Sequence, residues 1–330
     1  MFLAKDHWQN MFDPILWRSS PHYPLLLPSM NVFFWIMQDT PTTTGPLINS
    51  IVFTFLLLGL LIFGLKDLTK SIFSAVPAIF ILSLPLFQKL AYSQYNDLLV
   101  AYFLLASFFC LIKTKETNLP EFSFLGGIFL GVLSFTKNEG LLAALLILLL
   151  SFPYLFWRNK QLSKTKIIKF LFIGLFLGAI STLIFTFFYA PKNITFINGL
   201  VSSEKPITLM RIKIILAFYF FELFTPIWNL IAVIKHNPKA IIDAKWMGIW
   251  VVTVIIIIMN FKKCFALKLW IIPVFLLLYN FIIIFYYLIN TYFQIDWWLQ
   301  VTLHRILFSV LPTVMFWIFY SLWQENKNSQ

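Results

Sequence analysis

The sequence predicts an all-α polytopic membrane protein with about nine transmembrane helices plus interfacial helices, on three observations. Of its 330 residues 60% are hydrophobic and only 12% charged, against roughly 25% charged in a fold wetted by water. Mean hydropathy is +0.84. The apolar residues also fall in consecutive runs approaching the roughly 20 needed to cross a hydrocarbon core. Helices are the only assignment for such runs, because an unpaired strand edge cannot face lipid. At 38.7 kDa such spans leave little chain for a soluble part, so 1–330 is read as a single integral membrane domain.

Taken in order, residues 1–20 are polar and aromatic rather than a basic start followed by an apolar core, which argues against a cleavable signal peptide. Segment 24–38 is short and interrupted by Pro28, leaving spanning and interfacial placements open. Spans are expected at 46–65, 70–88, 97–113, 121–136, 140–157, 168–189, 246–261, 267–289 and 306–323. Segment 212–234 carries Glu222, Pro226 and Trp228 within an apolar run and suits an interfacial helix as well as a span. Gly126, Gly127 and Gly131 read as close helix packing; a phosphate loop is not the reading, since no Gly-Lys-Ser/Thr follows.

Charge supplies sidedness. The chain holds 25 Lys plus Arg against 13 Asp plus Glu, a net +12. The basic residues cluster in short links: Lys66 and Lys70; Lys113 and Lys115; Arg158, Lys160, Lys164, Lys166 and Lys169; Lys262, Lys263 and Lys268. That placement marks cytoplasmic links and argues against a nucleic-acid face. Keeping those links inside puts 1–45, the turn before Asp97, the turn 136–140, the region 190–245 with its interfacial helix, and 290–305 on the extracytoplasmic side. Lys235, Lys239 and Lys245 then lie outside, against the rule, although long outer loops follow it poorly. Cys110 lies in an apolar run and Cys264 beside Lys262 and Lys263, so neither a disulfide nor a metal cluster is expected from them.

The non-basic links hold the polar residues that need a reason. Asp97 begins a span after Tyr95 and Asn96, where it either caps a helix or works in a cavity. Lys137 and Glu139 flank Asn138 in a very short turn; an exposed pair worth less than about 1 kcal/mol is the plainer reading, an anion-facing Lys the sharper one. His304 and Arg305 open the last expected span after an aromatic stretch. A guanidinium there either snorkels to headgroups or grips phosphate oxygens. His22 and Tyr23 precede Pro24 and Pro28, which restrict how the chain enters the next segment. Asn193-Ile194-Thr195 is a glycosylation triplet of a kind common by chance.

Read together, Ser20-Pro21-His22-Tyr23-Pro24-Leu25-Leu26-Leu27-Pro28, Tyr95-Asn96-Asp97, Leu133-Ser134-Phe135-Thr136-Lys137-Asn138-Glu139-Gly140 and His304-Arg305-Ile306-Leu307 resemble the GT-C membrane glycosyltransferases. The nearest relatives would be bacterial members akin to protein O-mannosyltransferases and lipid A aminoarabinose transferases. The resemblance covers about 20–320, and Thr-Lys-Asn-Glu-Gly is its sharpest piece. It implies a GT-C-like fold in the bacterial inner (plasma) membrane that moves a hexosyl or pentosyl unit from a polyprenyl-phosphate carrier to a glycan, lipid or protein acceptor at the extracytoplasmic face. Carried over, Asp97 and Glu139 become the catalytic candidates, Lys137, Arg305 and His304 the donor-phosphate ligands, and His22, Tyr23, Tyr95 and Asn96 the cavity lining. No motif argues for a metal ligand; the cofactor is unknown and a divalent cation is left open. Family members carry an acidic residue just after a first span, and this chain starts after that point; Asp6 and Asp13 lie in what resembles the later part of the first outer loop, with 1–45 its remnant. The expectation is therefore an N-terminally truncated product that can be inactive. The competing readings are a secondary transporter or flippase, which would place charges near the midplane on broken helices, and a non-catalytic remnant.

Overall fold

The computed structural model describes residues 8–13, 22–156, 164–191, 208–234, 245–266, 268–291 and 293–323. Among them the regular structure is entirely helical. A short 3-10 turn, Trp8–Phe12, precedes α1 (Leu26–Met37), α2 (Thr44–Thr69), α3 (Val76–Ser83), α4 (Pro85–Tyr92), α5 (Asp97–Thr117), α6 (Pro120–Ser134), α7 (Asn138–Phe156) and α8 (Lys164–Ile184). α8 runs on into a π turn, Phe185–Tyr189, and is followed by α9 (Leu209–Ile234), α10 (Ile249–Met259), α11 (Phe261–Cys264), α12 (Ile271–Ile289) and α13 (Ile295–Trp323).

Among the described residues six helices are long and apolar enough to cross a membrane: α2, α5, α7, α8 with its π turn, α12 and α13; counting the bent pair α3–α4 gives seven. A helical membrane protein is therefore what the chain forms, although several expected spans take another shape. The run 70–88 is broken rather than straight: its helices meet at 76°. Pro85 supplies the break, since it lacks an amide hydrogen and holds Leu84 in an extended conformation, φ −72° and ψ 126°. The runs 121–136 and 246–261 give α6 of 15 residues and α10 of 11. Pro120 starts α6 and the turn at 135–137 stops it, while Gly248, at φ 81°, and Asn260 bound α10. The last helix begins well before 306, so His304 and Arg305 lie about three turns into α13 instead of opening it.

α5 and α13 form the centre. Both are apolar around most of their circumference and buried there, as a helix surrounded by other helices must be. α2 buries one stripe at four-residue spacing, Phe53, Leu57, Leu61 and Leu65, and exposes Phe55 and Phe63 on the other side. α6 and α8 run parallel with their backbones touching. A Cβ on Gly127 would overlap the Leu171 carbonyl, and one on Gly131 the backbone of Gly178. Ser123 Oγ donates to the Ile167 carbonyl at 2.9 Å near one end, and Ser134 Oγ meets Thr182 Oγ1 at 2.8 Å near the other. The close-packing reading of Gly127 and Gly131 is the one the structure takes.

The bundle has two chemically distinct ends. At one, Lys113 pairs with Asp67 at 2.6 Å, Tyr320 donates to Glu116 at 2.5 Å, and Tyr154 donates to the Lys268 carbonyl at 2.7 Å. Cys264, next to Lys262 and Lys263, accepts from Trp317 Nε1 through its carbonyl at 2.8 Å. These contacts gather the Lys-rich links at the end that charge bias assigns to the cytoplasm. Asp97, Lys137 and Arg305 meet at the other end.

Candidate functional site

Two short links and α13 bring the site together. The turn before α5 passes through Gln94, which takes a left-handed φ of 55°. Its side chain donates to the Pro46 carbonyl at 2.7 Å and to Ser50 Oγ, and accepts from Asn31 Nδ2 at 3.2 Å. Asn49 donates to Asn31 at 2.7 Å, so an amide ladder ties this turn to α1 and α2. In the link between α6 and α7, Thr136 Oγ1 donates back to the Leu133 carbonyl at 2.6 Å. A side chain at 140 would collide with that same hydroxyl, which is why glycine stands there. The Leu26 amide donates to the Phe135 carbonyl at 3.4 Å and seats α1 on this link.

With the links fixed, Lys137 points inward and meets Asp97 Oδ1 and Glu139 Oε1, both at 3.2 Å. Arg305 Nε donates to the other Asp97 oxygen at 2.7 Å, and its guanidinium carbon lies 3.8 Å from the centre of the Tyr95 ring. The Asp97 side chain is 2% exposed, Lys137 9%, Arg305 18% and Glu139 20%. Burial by itself would lower the Lys137 pKa; the Asp97 and Glu139 carboxylates outweigh it and hold the ammonium above its ordinary value. Two cations against two carboxylates sum to zero, the condition under which charges remain ionised away from water.

The donor and acceptor count is incomplete at two places. Arg305 spends one nitrogen on Asp97, and among the described residues its two terminal nitrogens hold no hydrogen bond. Glu139 Oε2 is buried with no hydrogen-bond partner. Asp97 differs: both of its oxygens are taken. Glu139 lies in the first turn of α7, on which α12 packs, and its charge bears on His22 and Tyr23 of the link before α1. The Glu139 charge, then burial, push the Tyr23 phenol up, while burial lowers His22 more than Glu139 raises it. The His22 and Tyr23 rings meet edge to face at 4.9 Å.

Asp97, Lys137, Glu139, Arg305 and Tyr95 thus converge from two links and three helices. Asn96 is the residue preceding the first turn of α5, and its Oδ1 is buried without a hydrogen-bond partner. His304, one residue from Arg305 and so about 100° around the helix, faces another group: Glu222 accepts from Lys245 at 2.9 Å and from Trp246 Nε1 at 2.8 Å. His304 lies within electrostatic reach of both groups, and its Nδ1 is buried without a hydrogen-bond partner. Asp13 is exposed after the first turn, whose Phe12 stacks on Tyr189 at 6.2 Å; Asp6 lies outside the described residues.

The plainer readings of four residues give way. Asp97 makes no side-chain cap; its carboxylate reaches across to α13. Lys137 and Glu139 are not an exposed pair, since both side chains lie largely inside the bundle and α1 is hydrogen-bonded to their link. Arg305 does not snorkel but pairs inside the bundle. The α12 tyrosines were missed. Their signal was available: Tyr279, Tyr286 and Tyr287 recur at seven and eight residues and so share a helix face in an otherwise apolar run.

Among the described residues no three or more His, Cys, Asp or Glu gather to hold a metal ion. No family model matches the chain, and neither a curated protein nor a solved structure matches it.

Proposed function

We propose that the chain is a membrane glycosyltransferase that takes a sugar from a polyprenyl-phosphate carrier and passes it to a hydroxyl acceptor at the extracytoplasmic face. One observation carries this reading: Lys137 and Arg305, far apart in sequence, meet at one buried carboxylate, the Arg305 terminal nitrogens hold no hydrogen bond among the described residues, and Glu139, paired with Lys137, keeps one oxygen unpaired. Those nitrogens form a fork suited to two phosphate oxygens. In the reaction the acceptor oxygen forms a bond to the anomeric carbon as the carbon–oxygen bond to phosphate breaks. The acceptor proton passes to Glu139 Oε2, and the departing phosphate takes the electron pair under the charge of Arg305 and Lys137. Asp97, saturated by both cations, serves as their positioning residue.

The test uses the purified chain in lipid nanodiscs, with polyprenyl phosphate binding and transfer from a radiolabelled polyprenyl-phosphate sugar as readouts. Arg305→Ala and Lys137→Ala should lower transfer about 10²-fold or more and weaken phosphate binding. Glu139→Gln should lower transfer by about 10²–10⁴ while phosphate binding persists. Wild-type rates in both cation variants would overturn the reading. Substrate-dependent flux of the lipid in liposomes, without transfer, would replace it with a flippase.

A further inference from the structure

Independently of the transferase reading, we infer that the Lys-rich end of the bundle holds one anionic phospholipid, with the lipid phosphodiester between Lys115 and Lys268. The two lysines flank a single tyrosine. Lys115, in the last turn of α5, sets its ammonium 4.1 Å from the centre of the Tyr154 ring. The hydroxyl of the same tyrosine donates to the Lys268 carbonyl at 2.7 Å and so fixes the backbone just ahead of α12. Tyr154 is 1% exposed near the end of α7, so the bundle itself sets its place.

The charges around this tyrosine do not balance. Lys113, two residues earlier on α5, shows the ordinary arrangement at this end, closing on Asp67 at 2.6 Å. Lys115 differs: its side chain is half-buried, and among the described residues its ammonium has the Tyr154 ring for company but neither a hydrogen bond nor an ion pair. The neighbouring carboxylate, Glu116, accepts from Tyr320 at 2.5 Å and stands 4.0 Å from Lys268, at the limit of pairing. Two ammoniums against one carboxylate leave a surplus positive charge. A phosphodiester carries one negative charge and cancels it, and its two free oxygens accept charge-assisted hydrogen bonds from both lysines.

The surroundings choose a lipid over a soluble anion. The Lys268 side chain is 56% exposed at the end of a bundle of apolar spans, where a lysine stands at headgroup depth. Trp270, two residues on, meets the Tyr154 ring edge to face at 6.0 Å and is only partly buried. An indole at this level lies against the glycerol and the start of the acyl chains. Leu119 and Phe265, in the links that follow Lys115 and precede Lys268, also expose apolar side chains. Acyl chains cover such groups, whereas a free phosphate leaves them bare. A zwitterionic headgroup brings its own ammonium and loses the advantage, so the site selects anionic lipids.

Native mass spectrometry of the detergent-solubilised protein, titrated with phosphatidylglycerol or phosphatidylcholine, tests this. Phosphatidylglycerol should form one leading adduct, favoured about tenfold over phosphatidylcholine. Lys115→Gln and Lys268→Gln should each weaken it about fivefold. Lys262→Gln and Lys263→Gln, on exposed side chains at the same end, should leave it unchanged. Because Lys268 is exposed, its variant keeps the fold and reads the site even where Lys115→Gln melts early. Equal retention of the two lipids, or equal losses in all four lysine variants, would overturn the inference in favour of diffuse attraction. Displacement of the lipid by millimolar inorganic phosphate would overturn it in favour of a soluble anion.

Discussion

Asp97 holds two cations that reach it from opposite parts of the chain, and its removal would leave Arg305 without its carboxylate partner and Lys137 with Glu139 alone. Asp97→Ala should therefore destabilise the detergent-solubilised protein by about 3–5 kcal/mol, read as a lowered denaturation midpoint. Arg305→Lys keeps the charge but loses the planar fork and the stacking on Tyr95, so it should bind polyprenyl phosphate more weakly than wild type while folding normally. His22 gives a pH dependence with a definite sign. Burial favours its neutral form in the folded protein, whereas the unfolded chain protonates once pH falls below about 6.5. Stability contributed at His22 is thus complete above that value and is lost as pH falls toward the lowered folded pKa. Melting curves should show a smaller loss between about pH 7.5 and pH 5 in His22→Gln than in wild type. At this scale the sequence was legible in part. The polar residues at span ends could be picked out because charge in an apolar chain is costly, but spacing could not tell an exposed Lys137–Glu139 pair from a buried one. That depended on how distant helices close around it: Asp97, 40 residues earlier, and Arg305, 168 residues later, complete the group.

Among the elements, the parallel pair α6 and α8 owes its contact to absent side chains. Without a hydrophobic drive between helices in lipid, close backbone approach is what holds such a pair. Gly131→Leu should force the two apart, with a lower denaturation midpoint and a cost of about 1–3 kcal/mol or more, while Gly59→Ala on α2, where only Phe63 lies near, should change little. Long apolar runs predicted most of α2, α5, α7, α8 and α12 well, because composition alone decides helix in lipid. Boundaries set by local chemistry were harder to read. The run 70–88 contains Pro77 and Pro85, but only Pro85 follows a residue held extended, so one proline joins a helix start and the other makes the bend. α13 gains its first three turns from 295–305, a stretch whose Asp296, Gln300 and Arg305 masked it as a loop.

For the molecule as a whole, the Lys-rich links lie at one end and the balanced charge cluster at the other, an asymmetry that sets how it sits in a bilayer. Cysteine labelling in spheroplasts gives a direct reading. Lys70→Cys and Lys268→Cys, both on exposed side chains, should react only after the membrane is permeabilised, and Tyr92→Cys should react with an impermeant maleimide in intact cells. The native Cys110 and Cys264 are buried and should stay silent in both. Reversed labelling would place the cluster in the cytoplasm.

The separation of the charges along the chain also bears on how the protein is made. Asp97 enters the membrane long before Arg305, which follows 208 residues later, yet Lys137 comes only 40 residues behind it. During synthesis the early lysine can pair with the aspartate before the later helices are made. Arg305 then arrives as the second cation and brings the group of Asp97, Lys137 and Glu139 to charge balance. A nascent chain stalled before α13 should consequently hold α5 in the bilayer, and the same chain bearing Lys137→Ala should release it to quality-control proteolysis.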